Sequence, residues 1–130
     1  MPRQFKWSVS VYYADTDAAQ IAYHGRYAAW LEEARIEFFN DLNHPYSTIL
    51  AQDISFIPTE LVIHYKSPLV LFDRFTITLT PTLYRARIKM DHVLMKEQTC
   101  IATGYVMLAC LSTSTFRPRP LPNFIHSLLS

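Results

Sequence analysis

Glycine is scarce: Gly25 and Gly104 are the only two in 130 residues. Without a Gly-rich loop, backbone amides cannot close around a phosphate, which excludes P-loop NTPases and Rossmann dinucleotide enzymes. A surplus of either charge is missing as well. Twelve Lys and Arg stand against eleven Asp and Glu, a formal net charge of +1. Nucleic acid is therefore not an expected partner, because neutralising its backbone needs a concentrated basic face. No apolar run approaches the roughly 18–20 residues of a membrane span. The opening MPRQFKWSVS lacks the apolar stretch of a signal peptide. Cysteine is limited to Cys100 and Cys110, evenly separated within one apolar run. A single strand cannot bridge them, so two buried free thiols in a reducing, cytoplasmic compartment are expected.

Common catalytic arrangements are absent too. There is no G-x-S-x-G elbow for a serine hydrolase. Neither cysteine stands at the start of a helical pattern, where a thiolate is activated. Histidines 24, 44, 64, 92 and 126 show neither H-x-H nor H-x-x-x-H spacing and have no cysteine partner. A zinc site is not expected, nor is any other cofactor.

What is present suits one folded unit. Half the residues are hydrophobic and 18% are charged, so a core forms and disorder is excluded. We expect one domain over residues 1–130. Residues 8–14 alternate Val9, Val11 and Tyr13 against polar neighbours, the period of a half-buried strand. A polar break at Asp15-Thr16-Asp17-Ala18 follows. From Tyr27 to Asn40, Tyr27, Leu31, Ala34 and Phe38 recur at helical spacing. Trp30 and Phe39 widen that stripe, so the helix should be covered on more than one side. Beyond Pro58, alternation returns at Leu61–Lys66, Phe75–Thr80 and Arg85–Met90. Residues 99–111 read as a central strand buried on both faces. Short connections at Pro81–Tyr84 and Lys96–Gln98 favour antiparallel hairpins. The order is β-α-β-β-β-β, an α+β fold with one long helix against five strands. Such a sheet leaves edges uncovered, so a homo-oligomer is expected, a dimer or a dimer of dimers.

Chemistry concentrates in Tyr12 to Tyr27, between the first strand and the long helix. First-turn amides of a helix have no intrahelical acceptor and carry the positive end of its dipole. A carbonyl oxygen aimed at them is polarised. An acidic loop and a histidine at that helix start fit acyl chemistry. They equally fit a capped turn and an ordinary first-turn histidine.

Val11-Tyr12-Tyr13-Ala14-Asp15-Thr16-Asp17, then Tyr23-His24, Tyr27 and Glu32-x-Ala34-Arg35, resemble the signature of hot-dog-fold acyl-CoA thioesterases. The group is the 4-hydroxybenzoyl-CoA thioesterase-like one, with the short bacterial enzymes of the Tol–Pal envelope system most similar. The likeness continues through His64-Tyr65-Lys66-Ser67-Pro68, Asp73 and the tail Arg117-Pro118-Arg119-Pro120. It implies a curled five-stranded sheet around the helix and hydrolysis of an acyl- or aroyl-CoA thioester. It also implies roles. Asp17 matches the catalytic carboxylate, as nucleophile or general base. His24 and Tyr13 match active-site residues, and amides from His24 through Gly25 to Arg26 would polarise the carbonyl. A free aspartate, with a pKa near 3.9, is a weak base, which favours direct attack or a desolvated site.

Ala19-Gln20 stands where such enzymes carry Gly-Gly, and Gly25-Arg26 replaces Ala-Asn or Ala-Ser. The phosphates of coenzyme A, which is part of the substrate, call for cations: Lys66, Arg85, Arg87, Lys89, Arg117 and Arg119 are the candidates, with Arg117 and Arg119, held between prolines, ranked above the strand residues. Arg85, Arg87 and Lys89 read as a solvated face, and Glu32 and Arg35 as a helix ion pair. Trp30, Phe38, Phe39 and Phe72 read as core or interface. An alternative reading is a catalytically weak module that binds acyl carrier protein or an envelope-complex partner. A third is hydrolysis of carrier-protein thioesters.

Overall fold

In the computed structural model, residues 3–129 are described. Met1, Pro2 and Ser130 of the expected domain lie outside them. Five strands and one long helix form in the expected order: β1 (Phe5–Ser10), α1 (His24–Asp41), β2 (Ser55–Tyr65), β3 (Arg74–Tyr84), β4 (Arg87–Lys96) and β5 (Thr99–Leu111). A 3-10 turn at Tyr13–Asp15 and two short helices, α2 (Tyr46–Ala51) and α3 (Asn123–Leu129), complete the chain. Every strand pairing is antiparallel, and the spatial order is β1-β3-β4-β5-β2. β4 is thus the central strand. β5, expected in the centre, lies beside the β2 edge.

The helical stripe becomes the core: Tyr27, Trp30, Leu31, Ala34, Phe38 and Phe39 are all buried. Trp30 meets Phe75 edge-on with ring centres 4.9 Å apart, while Phe39 stacks on Phe56 at 5.2 Å. One helix thereby touches β3 on one flank and β2 on the other. From the strands, Ile77, Leu79, Ile88, Met90 and Leu94 complete the layer. Burying an aliphatic side chain of this size contributes about 1.5–3 kcal/mol. Among the described residues no helix is long and apolar enough to cross a membrane.

Several boundaries differ from expectation. β1 ends at Ser10, because the Asp15 carboxylate accepts the Tyr12 N–H and folds the chain into a turn. Tyr13 therefore sits on that turn and is 69% exposed. α1 begins at His24, three residues early. Pro58 and Pro81 lie inside strands, where breaks were expected. Proline is tolerated at strand edges: β2 is an edge with a register shift at Pro58, and the β1 register on β3 stops at Leu79. The β3–β4 turn consequently falls at Arg85-Ala86, and Ala86, expected on the buried face, is exposed. α2 follows Pro45 and α3 follows Pro122; both were read as loop. Cys100 and Cys110 are free, Cys110 buried and Cys100 half-buried. Phe72, expected to be covered, is 66% exposed and meets the ring of Tyr13 edge-on.

Candidate active site

The segment joining β1 to α1 is held by backbone bonds to the loop before β3. Ala22 N–H donates to the Leu69 carbonyl, Leu71 N–H to Gln20, and Phe72 N–H to Val11. Thr16 and Ala22 pair across a tight loop, and Gln20 at its tip has φ of 62°. That left-handed conformation suits glycine and costs other residues roughly 1–2 kcal/mol.

Two carboxylates divide the work of this segment. Asp15 is buried, accepts the Tyr12 N–H at 2.9 Å and is ion-paired with Nε of Arg26. Arg26 also lies 3.6 Å from Glu33 and has its guanidinium 5.7 Å from the centre of the Trp30 ring. The Arg26 side chain thereby ties the loop to the helix. Asp17 is exposed, and its Oδ1 accepts the Ala19 N–H at 2.9 Å, a local turn bond. Its Oδ2 has no hydrogen-bond partner among the described residues.

At the start of α1 the three expected amides are not equivalent. The Arg26 N–H already donates to the Tyr23 carbonyl at 3.0 Å. Those of His24 and Gly25 have no acceptor among the described residues, and both residues are exposed. A Cβ at Gly25 would sit 3.0 Å from the Tyr23 ring, so a larger residue there would press on that ring. The Tyr65 hydroxyl donates to the His24 carbonyl at 3.1 Å, fixing the helix start against the end of β2. A cleft of about 300 Å³ opens there, lined by Ile21, His24, Tyr27, Tyr65, Lys66 and Pro68. Burial, then the neighbouring Tyr65, pushes the Tyr27 phenol above its ordinary pKa. It stays neutral and able to donate at physiological pH.

The expected cations separate. Lys66 lines the cleft, and its side chain has no hydrogen-bond or ion-pair partner among the described residues. Arg119 hydrogen-bonds the Gln52 and Asp53 carbonyls at 3.2 and 2.7 Å, and its N–H donates to Cys110, which pairs with Phe56 near the start of β2. Arg117 is exposed on the same segment. Ten residue steps from Phe56 to Lys66 at about 3.3 Å each put these two arginines roughly 30 Å from Lys66. Within one chain they do not converge. Arg85 and Arg87 are exposed as expected, and Lys89 packs over the Tyr105 ring at 4.7 Å.

Residues 11–129 match the family model of the thioesterase-like superfamily. The chain belongs to this superfamily. It is 32% identical over 125 residues to the acyl-CoA thioesterase YbgC of Haemophilus influenzae, covering 95% of this chain and 92% of the relative. It is 29% identical over 123 residues to the acyl-CoA thioester hydrolase YbgC of Escherichia coli, covering 93% and 92%. Among solved structures, a 1,4-dihydroxy-2-naphthoyl-CoA thioesterase from Synechocystis superposes with a TM-score of 0.89 at 21% identity, covering 98% and 96%. The expected hot-dog fold and the thioesterase class both stand. The capped turn read from the sequence is present at both aspartates, Asp15 accepting the Tyr12 N–H and Asp17 the Ala19 N–H. The Tyr65 bond to His24 was missed, and no local signal links those two residues.

Proposed function

We propose that this thioesterase-like chain hydrolyses an acyl- or aroyl-CoA thioester to the free acid and CoA. The observation that carries this reading is the pair of open amides, His24 and Gly25, beside the cleft that Lys66 lines. A thioester carbonyl oxygen accepts these two N–H groups, and a donor of this kind is worth roughly 10²–10³ in rate. Asp17 is not among the residues that line this cleft but lies on the loop whose Thr16 pairs with Ala22, two residues before the helix, and it offers its unshared Oδ2. As nucleophile, Oδ2 bonds to the carbonyl carbon and the C–S bond breaks. CoA leaves as thiolate, and water then cleaves the acyl–aspartyl anhydride. As general base, Oδ2 instead takes a proton from water, whose oxygen attacks the carbonyl directly. A burst of thiol ahead of acid release identifies the nucleophilic route. His24 and Tyr13 contact the substrate or the attacking water, and Lys66 meets the carrier's phosphates.

Arg117 and Arg119 take part through assembly. Half of β2 is exposed at the sheet edge, with Leu61 and Tyr65 uncovered. Antiparallel pairing of this edge with a second copy brings the Lys66 end of one chain to the Arg117 end of the other. The reading is tested by following thiol release from a panel of acyl- and aroyl-CoAs, with light scattering for the dimer or larger assembly. Turnover of at least one CoA ester, faster than its carrier-protein counterpart, is expected. No turnover across the panel would overturn it.

A further inference from the structure

The Glu32-x-x-Arg35 pair has no part in the chemistry above. The Arg35 side chain is only 12% exposed, and it forms no hydrogen bond with any described residue. The nearest carboxylate is that of Glu32, 4.0 Å away on a side chain that is itself 62% exposed. The guanidinium is thus mostly covered and its one carboxylate neighbour stands at the limit of ion-pair distance, which leaves donors that a second carboxylate can meet. Arg35 supplies the polar wall of a cavity of about 340 Å³ between α1, α2 and β2. Ile36, Phe39, Leu50, Phe56 and Leu108 make the remainder largely apolar. Glu32 also lines the cavity, while the Tyr46 hydroxyl is engaged with the Phe56 backbone and Ser55 with Thr113. On the core side His92 is buried and held neutral by burial and by Arg35 itself, so it offers no counter-charge. The volume lies within the ordinary range of small-ligand sites. Eleven residues along α1 separate Arg35 from His24, roughly 16 Å, so within one chain this is a different cavity from the cleft at the helix start.

We propose that this cavity binds an amphipathic monocarboxylate, an aliphatic or aromatic acid. Its apolar body fills the cavity and its carboxylate pairs with the Arg35 guanidinium. Glu32, largely in solvent, yields its place. The inference does not depend on the hydrolytic reading, although acids released by such a reaction belong to the same class.

Octanoate and octan-1-ol, titrated into the intact protein and followed by calorimetry and methyl NMR, separate the carboxylate from the chain. Octanoate is expected to bind once per chain and about tenfold or more tighter than the alcohol. Methyl shifts are expected at Ile36, Leu50 and Leu108. Arg35→Met should remove that preference while leaving alcohol binding unchanged. If this variant fails to fold, the comparison of acid with alcohol in the unaltered protein decides alone. Equal affinity for acid and alcohol, shifts confined to Ile21 and Ala22, or no binding at millimolar octanoate would each overturn the proposal. So would lining-methyl shifts that follow protein concentration instead of ligand, since a second copy would then fill the cavity.

Discussion

Replacing His92 with leucine should stabilise the protein, and by an amount that depends on pH. His92 lies on the central strand, 1% exposed, and neither ring nitrogen has a hydrogen-bond partner. An unsatisfied buried polar group costs about 1–3 kcal/mol, which an apolar side chain of similar size removes. The charge state adds a second, separable effect. Burial first, then the nearby Arg35 charge, lowers the His92 pKa from 6.5 to about 4. The unfolded chain therefore binds a proton that the folded chain refuses between those two values, and stability falls as pH falls through that window. At about 1.4 kcal/mol per pKa unit, the loss approaches roughly 3 kcal/mol near pH 4. Asp53 is held below its ordinary pKa by hydrogen bonds from Ser112 and Ser114. For Asp73 burial acts upward, but bonds from Lys96 and Val70 prevail and lower it. Their contributions are present above an unfolded value of 3.8 and are lost as pH falls below it, so they leave the His92 window clear. Urea unfolding of both proteins from pH 7.5 to 4 measures the difference. His92→Leu should be more stable at pH 7.5, and its advantage should widen steadily below pH 6.5. An advantage that does not change with pH would refute a neutral buried imidazole.

Two further substitutions probe the scaffold of the site. In Gly104→Ala the new Cβ would lie 2.1 Å from the Val62 carbonyl oxygen, on backbone that cannot turn aside. The β2 edge must shift, at a cost of about 3 kcal/mol or more, lowering the melting temperature by roughly 10 °C; a change under about 2 °C would contradict this. Asp15→Asn should cost about 1–3 kcal/mol, because a buried carboxylate bonded to Tyr12 and Arg26 loses its charge. A double-mutant cycle with Arg26→Met should show coupling of about 1 kcal/mol, and strictly additive losses would contradict the tie between loop and helix.

Much of this fold was legible where one face of an element is buried. The Tyr27-Leu31-Ala34-Phe38 stripe and the alternation of β3 and β4 come from packing against a single core, so their periods survive in the chain. The failures have a common cause. Pro58 and Pro81 break strands only where a partner needs their N–H, and each lies where none does, which depends on sheet order. α2 and α3 are too short to be stable from propensity alone. They are held by Phe39 against Tyr46 and by the buried Ile125. In the site, Asp15 and Asp17 flank one threonine and look alike. The difference is Arg26, eleven residues on, which buries one and leaves the other facing solvent. The roughly 30 Å between Lys66 and Arg119 depends likewise on pairing between distant strands.

Whether the free oxygen of Asp17 performs the chemistry is measured by Asp17→Asn. Asparagine retains the Oδ1 that accepts the Ala19 N–H, so the turn and the melting temperature should hold. Removing a nucleophile or general base should lower kcat by about 10²–10⁴ with KM little changed. A folded Asp17→Asn protein that releases thiol from its best CoA ester within about threefold of the unaltered rate would contradict the account.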